Sequence, residues 1–220
     1  GVRYNGEFPF VDSQNFTFTR IWTDGGEVKT DNQGNQIRPT QIEVYDWQSS
    51  CFEDDMGYIT EPYRFYLEKG DNEITLEAEN EPMIIRKFMV APVSVIQSYE
   101  EYVAKYPDIS DQAMTAGYIQ MIQGEDSTLR SESSLYANDR SSPTTYPNSI
   151  TNTVLNYVGG DTWRSSGQWI EWEFEVPEDG YYNIMIKGRQ NYSRGSVSSR
   201  TVYIDGEIPF SEMKEISYAY

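Results

Sequence analysis

The sequence predicts an all-β protein, built mainly of antiparallel strands with one short connector helix. Three observations predict it. Apolar and polar residues alternate over short runs such as "WIEWEFEV", Trp169 to Val176, which is the period of a strand with one buried face. Gly, Pro, Ser, Asn and Asp interrupt these runs about every ten residues. Aromatic side chains are abundant, with 18 Tyr, 9 Phe and 5 Trp, and such rings suit a pleated, half-buried surface.

Taken along the chain, residues 1 to 92 read as strands joined by turns. "DNQGN", Asp31 to Asn35, lies between Glu27-Val28-Lys29 and Gln36-Ile37, and predicts a hairpin turn in which Gly34 takes the positive φ. "RFYLEKGDNEITLEA", Arg64 to Ala78, predicts a second hairpin, with Phe65 and Leu67 facing Ile74, Leu76 and Ala78 across "KGDN". "SYEEYVAKYP", Ser98 to Pro107, sets Ser98 and Glu101 at capping-box spacing and ends on a proline, which predicts the helix over 98 to 106. In the strand 169 to 176, Ile170, Trp172, Phe174 and Val176 form the apolar face. Trp22, Trp47 and Trp172 sit in strand-like apolar surroundings and are expected in the core.

Charge and missing residue types exclude whole classes of chemistry. The net charge of −18 leaves no basic face to displace phosphate counterions, so nucleic acid is not an expected partner. No apolar run reaches the roughly 18 to 20 residues that cross a bilayer, so membrane insertion of this segment is not expected either. Histidine is absent and Cys51 is the one cysteine, which removes His-based nucleophilic triads, His-bearing zinc sites and an internal disulfide. Glu171, Glu173 and Glu175 share a strand face with Trp169. Such neighbours lie about 7 Å apart but point in parallel, whereas glycoside hydrolysis needs two carboxyls converging across one bond. No catalytic residue is assigned.

A phrase recurs at the two ends. "YNGEFPF", Tyr4 to Phe10, returns as "YIDGEIPF", Tyr203 to Phe210, with Gly6, Glu7, Pro9 and Phe10 matching Gly206, Glu207, Pro209 and Phe210. The repetition suggests that the chain starts partway through one repeat and ends partway through the next. Residues 1 to 92 would be the closing half of a sandwich repeat, 93 to 117 a helical connector, and 118 to 220 the opening half of the next repeat. The halves are expected to pack on each other, within one chain as a permuted sandwich or between two chains as a swapped homodimer.

"GQWIEWEFEVPEDGYYNIMIKGRQN", Gly167 to Asn191, followed by "SRTVYIDGEIPF", Ser199 to Phe210, resembles the galactose-binding-like β-sandwiches, and among them the family 6 and family 35 carbohydrate-binding modules. "FYLEKGDNEITLE" is similar to the strand pair that closes the same sandwich. The combination of "NDRSSP", "GGDTW" and "IDGEIPF" resembles repeated domains of large extracellular lipoproteins of Gram-positive bacteria related to ABC-transporter solute-binding proteins. This resemblance implies an antiparallel jelly-roll sandwich, an extracellular or cell-surface location, and non-catalytic binding of a glycan. The alternative is a structural or protein-interaction sandwich without sugar affinity. The families open with a Glu-Ala-Glu strand that helps hold a structural calcium. Here the matching stretch is "IQGED", so the resemblance leaves Glu125 and Asp126 as its ligands and implies no other cofactor.

Sugar binding in such modules needs rings to stack on a pyranose and polar groups to bond its hydroxyls. Trp163 lies in the Gly- and Ser-rich loop "GGDTWRSSG", flanked by Asp161 and Arg164; it is a candidate stacking ring or a cap on an open end of the sandwich. Gln190 and Asn191 fall where the families place a ligand-bonding Asn, with Arg189 and Tyr192 beside them. The candidate ligand set is therefore Trp163, Arg164, Arg189, Gln190, Asn191 and Tyr192.

Overall fold

The computed structural model describes residues 1–54, 56–59, 61–107, 118–190 and 194–219. Of the expected connector, residues 108–117 lie outside these. Every strand pairing is antiparallel, and α1, Tyr99–Val103, is the one α-helix among the described residues. The chain is all-β. No helix among the described residues is long and apolar enough to cross a membrane.

The chain divides into two compact units. Residues 1–90 and 122–173 form the first, and 91–121 with 174–220 the second.

In the first unit, β1 (Val2–Tyr4) leads into a tight turn and a 3-10 helix, Val11–Gln14. β2 (Ile21–Asp24) follows, then the short β3 (Lys29–Thr30) and β4 (Gln36–Ile37), and β5 (Gln41–Val44). β3 and β4 pair around the "DNQGN" turn with Gly34 at φ +86°. Asp31 fixes that turn by accepting the backbone N–H of Gln33 and Asn35, and these bonds hold its carboxyl below the ordinary range.

The expected hairpin across "KGDN" is not made. β6 (Ile74–Leu76) pairs instead with β1, Val2 opposite Leu76 and Tyr4 opposite Ile74. The reason lies in the turn. Asn72 closes residues 68 to 72 by donating to the Glu68 and Gly70 carbonyls and accepts the Tyr4 hydroxyl at 2.6 Å. The turn is thus tied to β1, and β6 follows it onto that edge.

β7 (Leu129–Arg130), β8 (Ala137–Asp139), β9 (Leu155–Val158) and β10 (Ile170–Glu171) complete the unit. The largest sheet has the order β10-β7-β2-β5, and β8 pairs with β9. Val2, Ile21, Leu135, Ala137 and Leu155 are its buried apolar residues. Arg130 is buried among them with no exposed surface. Its guanidinium donates to both Asp24 oxygens, to Gln41 Oε1 at 2.8 Å and to the Ser127 carbonyl at 3.0 Å. Four bonds offset much of the cost of taking the charge out of water.

The strand predicted over 169 to 176 keeps its ladder only at Ile170 and Glu171. Beyond it, Trp172 is half-buried and donates its indole N–H to the Gly124 carbonyl, and the Glu173 N–H turns to the Thr128 hydroxyl. Phe174 and Val176 are exposed, so the apolar face ends at Trp172. Trp47, expected in the core, is 57% exposed; Arg86 lies over its ring at 5.7 Å.

In the second unit, β11 (Val197–Arg200) pairs with β12 (Ile216–Ala219). Helix α1 carries the predicted cap: the Ser98 hydroxyl accepts the Glu101 N–H and the Glu101 carboxylate accepts the Ser98 N–H. Tyr99 and Tyr102 pack their rings on Phe210 at 5.0 and 5.3 Å, and Gln97 bonds the Pro209 carbonyl.

The two copies of the repeated phrase fold alike, one in each unit. Asn5 and Asp205 have φ of 48° and 52°, and Gly6 and Gly206 of 85° and 79°. Two successive left-handed residues are what a glycine after Asn or Asp tolerates. The bridge Tyr4 to Glu7 recurs as Ile204 to Glu207, and each copy continues into a 3-10 helix, Val11–Gln14 and Ser211–Lys214.

Candidate functional site

The loop after β9 holds the first group of expected ligand residues. Gly159 and Gly160, at φ +88° and +83°, reverse the chain into a one-turn 3-10 helix, Gly160–Thr162, which Trp163 ends. A Cβ on Gly159 would lie 3.1 Å from Trp163 Cε3, so the ring folds back over the glycine. Trp163 is half-buried, and its indole N–H donates to the Gln168 carbonyl at 3.2 Å. Gln168 closes the loop: its Oε1 accepts the N–H of Arg164 and Ser165, and its Nε2 donates to Thr162 and to Glu132. Arg164 is exposed.

The second group belongs to the other unit. Arg189 is exposed, and Gln190 is half-buried with its amide donating to the Ser196 carbonyl at 3.1 Å. That bond is spent across its own loop. Asn191 and Tyr192 lie outside the described residues.

Glu125 and Asp126 sit in a 3-10 turn, Gly124–Asp126. Glu125 Oε2 is buried with no hydrogen-bond partner. Loss of water pushes its carboxyl up, and the Asp126 charge adds to this against a bond from its own backbone. One orphan oxygen would suit a cation, but calcium takes six to eight oxygens. Among the described residues no group of three or more His, Cys, Asp or Glu is placed to hold a metal ion.

Two grooves of the first unit carry groups that sequence reasoning did not single out. One, of about 300 Å³, lies between the 3-10 helix Val11–Gln14 and residues 53–54 and 56–59, with Asp12, Glu53 and Asp54 beside Phe16, Tyr58 and Tyr63. Asp54 shapes that wall by accepting the N–H of Met56 and Ile59. The other, of about 210 Å³, runs between residues 139–141 and 149–156. Its organiser is Asn156, 6% exposed, which accepts the Arg140 N–H and donates to the Arg140 and Pro147 carbonyls at 3.0 and 2.8 Å. In the sequence Asn156 reads only as a polar residue after an apolar one. Comparison with protein-family models, with curated proteins and with solved structures finds no match to this chain.

Proposed function

We propose that the chain is a non-catalytic carbohydrate-binding module of jelly-roll type, part of an extracellular or cell-surface protein. The observation that carries this proposal is the 159–168 loop. A large ring is held in one orientation by Gly159 and Gln168, with the exposed Arg164 next to it. A ring fixed before binding loses little freedom when a pyranose stacks on it, and a flanking guanidinium can bond sugar hydroxyls. A glycan array probed with the intact chain, with and without calcium, tests this. Trp163→Ala removes the loop's share of glycan binding, and because the ring is half-buried it also costs about 1–2 kcal/mol, less than the roughly 3–5 kcal/mol of a core Trp. Trp163→Phe keeps a ring and retains part of the binding. Unchanged binding by Trp163→Ala rejects the role of the loop.

A second reading has its own observation. Met83, Ile84, Ile85, Phe88, Met89 and Val90 are each more than half exposed within eight residues. Exposed apolar side chains concentrated in one segment suit a protein–protein contact site, as expected of a protein-interaction sandwich without sugar affinity. An array without hits favours it.

A further inference from the structure

The groove between residues 139–141 and 149–156 is rigid by construction. Asn156, in the 149–156 wall, is tied to the other wall through both Arg140 backbone groups and also holds the Pro147 carbonyl just before its own wall begins. Ser149 Oγ accepts the N–H of Thr151 and Asn152, and the Asn152 amide donates to the Gln33 carbonyl at 2.9 Å. The amides near the groove are therefore spent on its shape.

What remains for a ligand is different in kind. Asp139 and Arg140 line the groove and are exposed. Neither side chain has a hydrogen bond or ion pair among the described residues, although they are neighbours in sequence. Arg140 offers only donors and Asp139 only acceptors. Ile150, 98% exposed, adds an apolar surface at the same opening.

We propose that this groove binds a neutral polyhydroxylated ligand, a sugar ring whose adjacent hydroxyls donate to Asp139 and accept from Arg140. The ligand class rests on the carbohydrate reading, whereas the site is separate from Trp163. Charge selects against the alternatives. An anion meets the Asp139 carboxylate and the field of a chain with net charge −18; an organic cation meets the Arg140 guanidinium. A hydroxyl pair both donates and accepts, so it satisfies both side chains at once. A groove of about 210 Å³ is below the range typical of drug-sized ligands, which fits one sugar ring.

The test uses the intact chain, saturation-transfer NMR and isothermal titration with D-glucose, D-galactose, D-mannose and N-acetyl-D-glucosamine. D-glucuronate and D-glucosamine serve as anionic and cationic counterparts. Arg140→Ala and Asp139→Asn alter exposed side chains and leave the melting temperature unchanged. Each is expected to weaken binding of a neutral sugar about tenfold or more, the loss of one charge-assisted hydrogen bond, while Trp163→Ala leaves that binding intact. Binding lost in Trp163→Ala but unaltered in Arg140→Ala and Asp139→Asn overturns the groove and keeps the carbohydrate reading. Tighter binding of glucuronate or glucosamine overturns the assignment of a neutral ligand. No saturable binding of any sugar, together with an empty glycan array, overturns both.

Discussion

Replacing Arg130 by methionine tests whether the first unit is organised around one buried charge. Arg130 has no exposed surface, and Asp24, its ion-pair partner, keeps 24% of its side chain exposed. The guanidinium makes four hydrogen bonds, two to Asp24, one to Gln41 and one to the Ser127 carbonyl. Methionine fills much of the same volume but takes the guanidinium donor from Asp24, Gln41 Oε1 and the Ser127 carbonyl, leaving Asp24 only the Gln41 amide. Breaking a buried pair from one side costs about 3–5 kcal/mol, a large share of the roughly 5–15 kcal/mol that stabilises a domain. With a urea slope of about 2 kcal/mol per molar, the midpoint falls by about 2 M. Trp22, Trp47, Trp163, Trp169 and Trp172 all belong to the first unit, so tryptophan emission during urea unfolding reports on that unit alone. Asp24→Asn and the double variant complete a cycle, with a coupling energy above about 1.5 kcal/mol expected. A loss below about 1 kcal/mol in Arg130→Met, or additive effects, would refute the reasoning by showing that water reaches the guanidinium when its partners are lost.

Two further outcomes are expected. Gly159→Ala places a Cβ at φ +88° and 3.1 Å from the Trp163 ring, so it costs about 1–2 kcal/mol for the left-handed backbone and shifts tryptophan emission; an unchanged melting curve would contradict the close approach. Glu125 has a folded-state carboxyl raised by burial. Its protonated form therefore stabilises the fold below the ordinary glutamate value of about 4.3 and that contribution is lost as pH rises through the raised value. Glu125→Gln should then melt at or above the wild-type temperature at pH 7, with the difference vanishing toward pH 4. A calcium-dependent rise in melting temperature that the wild type shows and Glu125→Gln lacks would instead identify Glu125 as a metal ligand.

Of the candidate site, the 159–168 loop was legible in the sequence because Gly, Ser and a lone Trp in one short stretch mark a turn that presents a ring. The orientation of that ring was not, since it depends on Gln168 reaching back across the loop. The groove at Asn156 was illegible for a related reason. Its walls come from two segments, and the amide that joins them reads in sequence as one polar residue inside a strand.

Local chemistry alone determined the "DNQGN" turn, the Ser98 and Glu101 cap of α1, and the shared backbone of the two copies of the repeated phrase. In each case the bonds that set the local backbone lie within about five residues, and the distant contacts, such as Asn152 to Gln33 and Glu73 to Asn5, add to a shape already chosen. The tertiary structure decided the rest. β6 had two edges within reach, and the Asn72 bond to Tyr4 placed it on β1. The alternation of 169 to 176 stopped at Trp172 because Gly124 and Thr128 took over the polar groups there. Arg130 entered the core because Asp24 and Gln41, 106 and 89 residues away in sequence, meet it there. An alternating strand pattern says which face can be buried, but only the partners that the chain brings together decide whether it is.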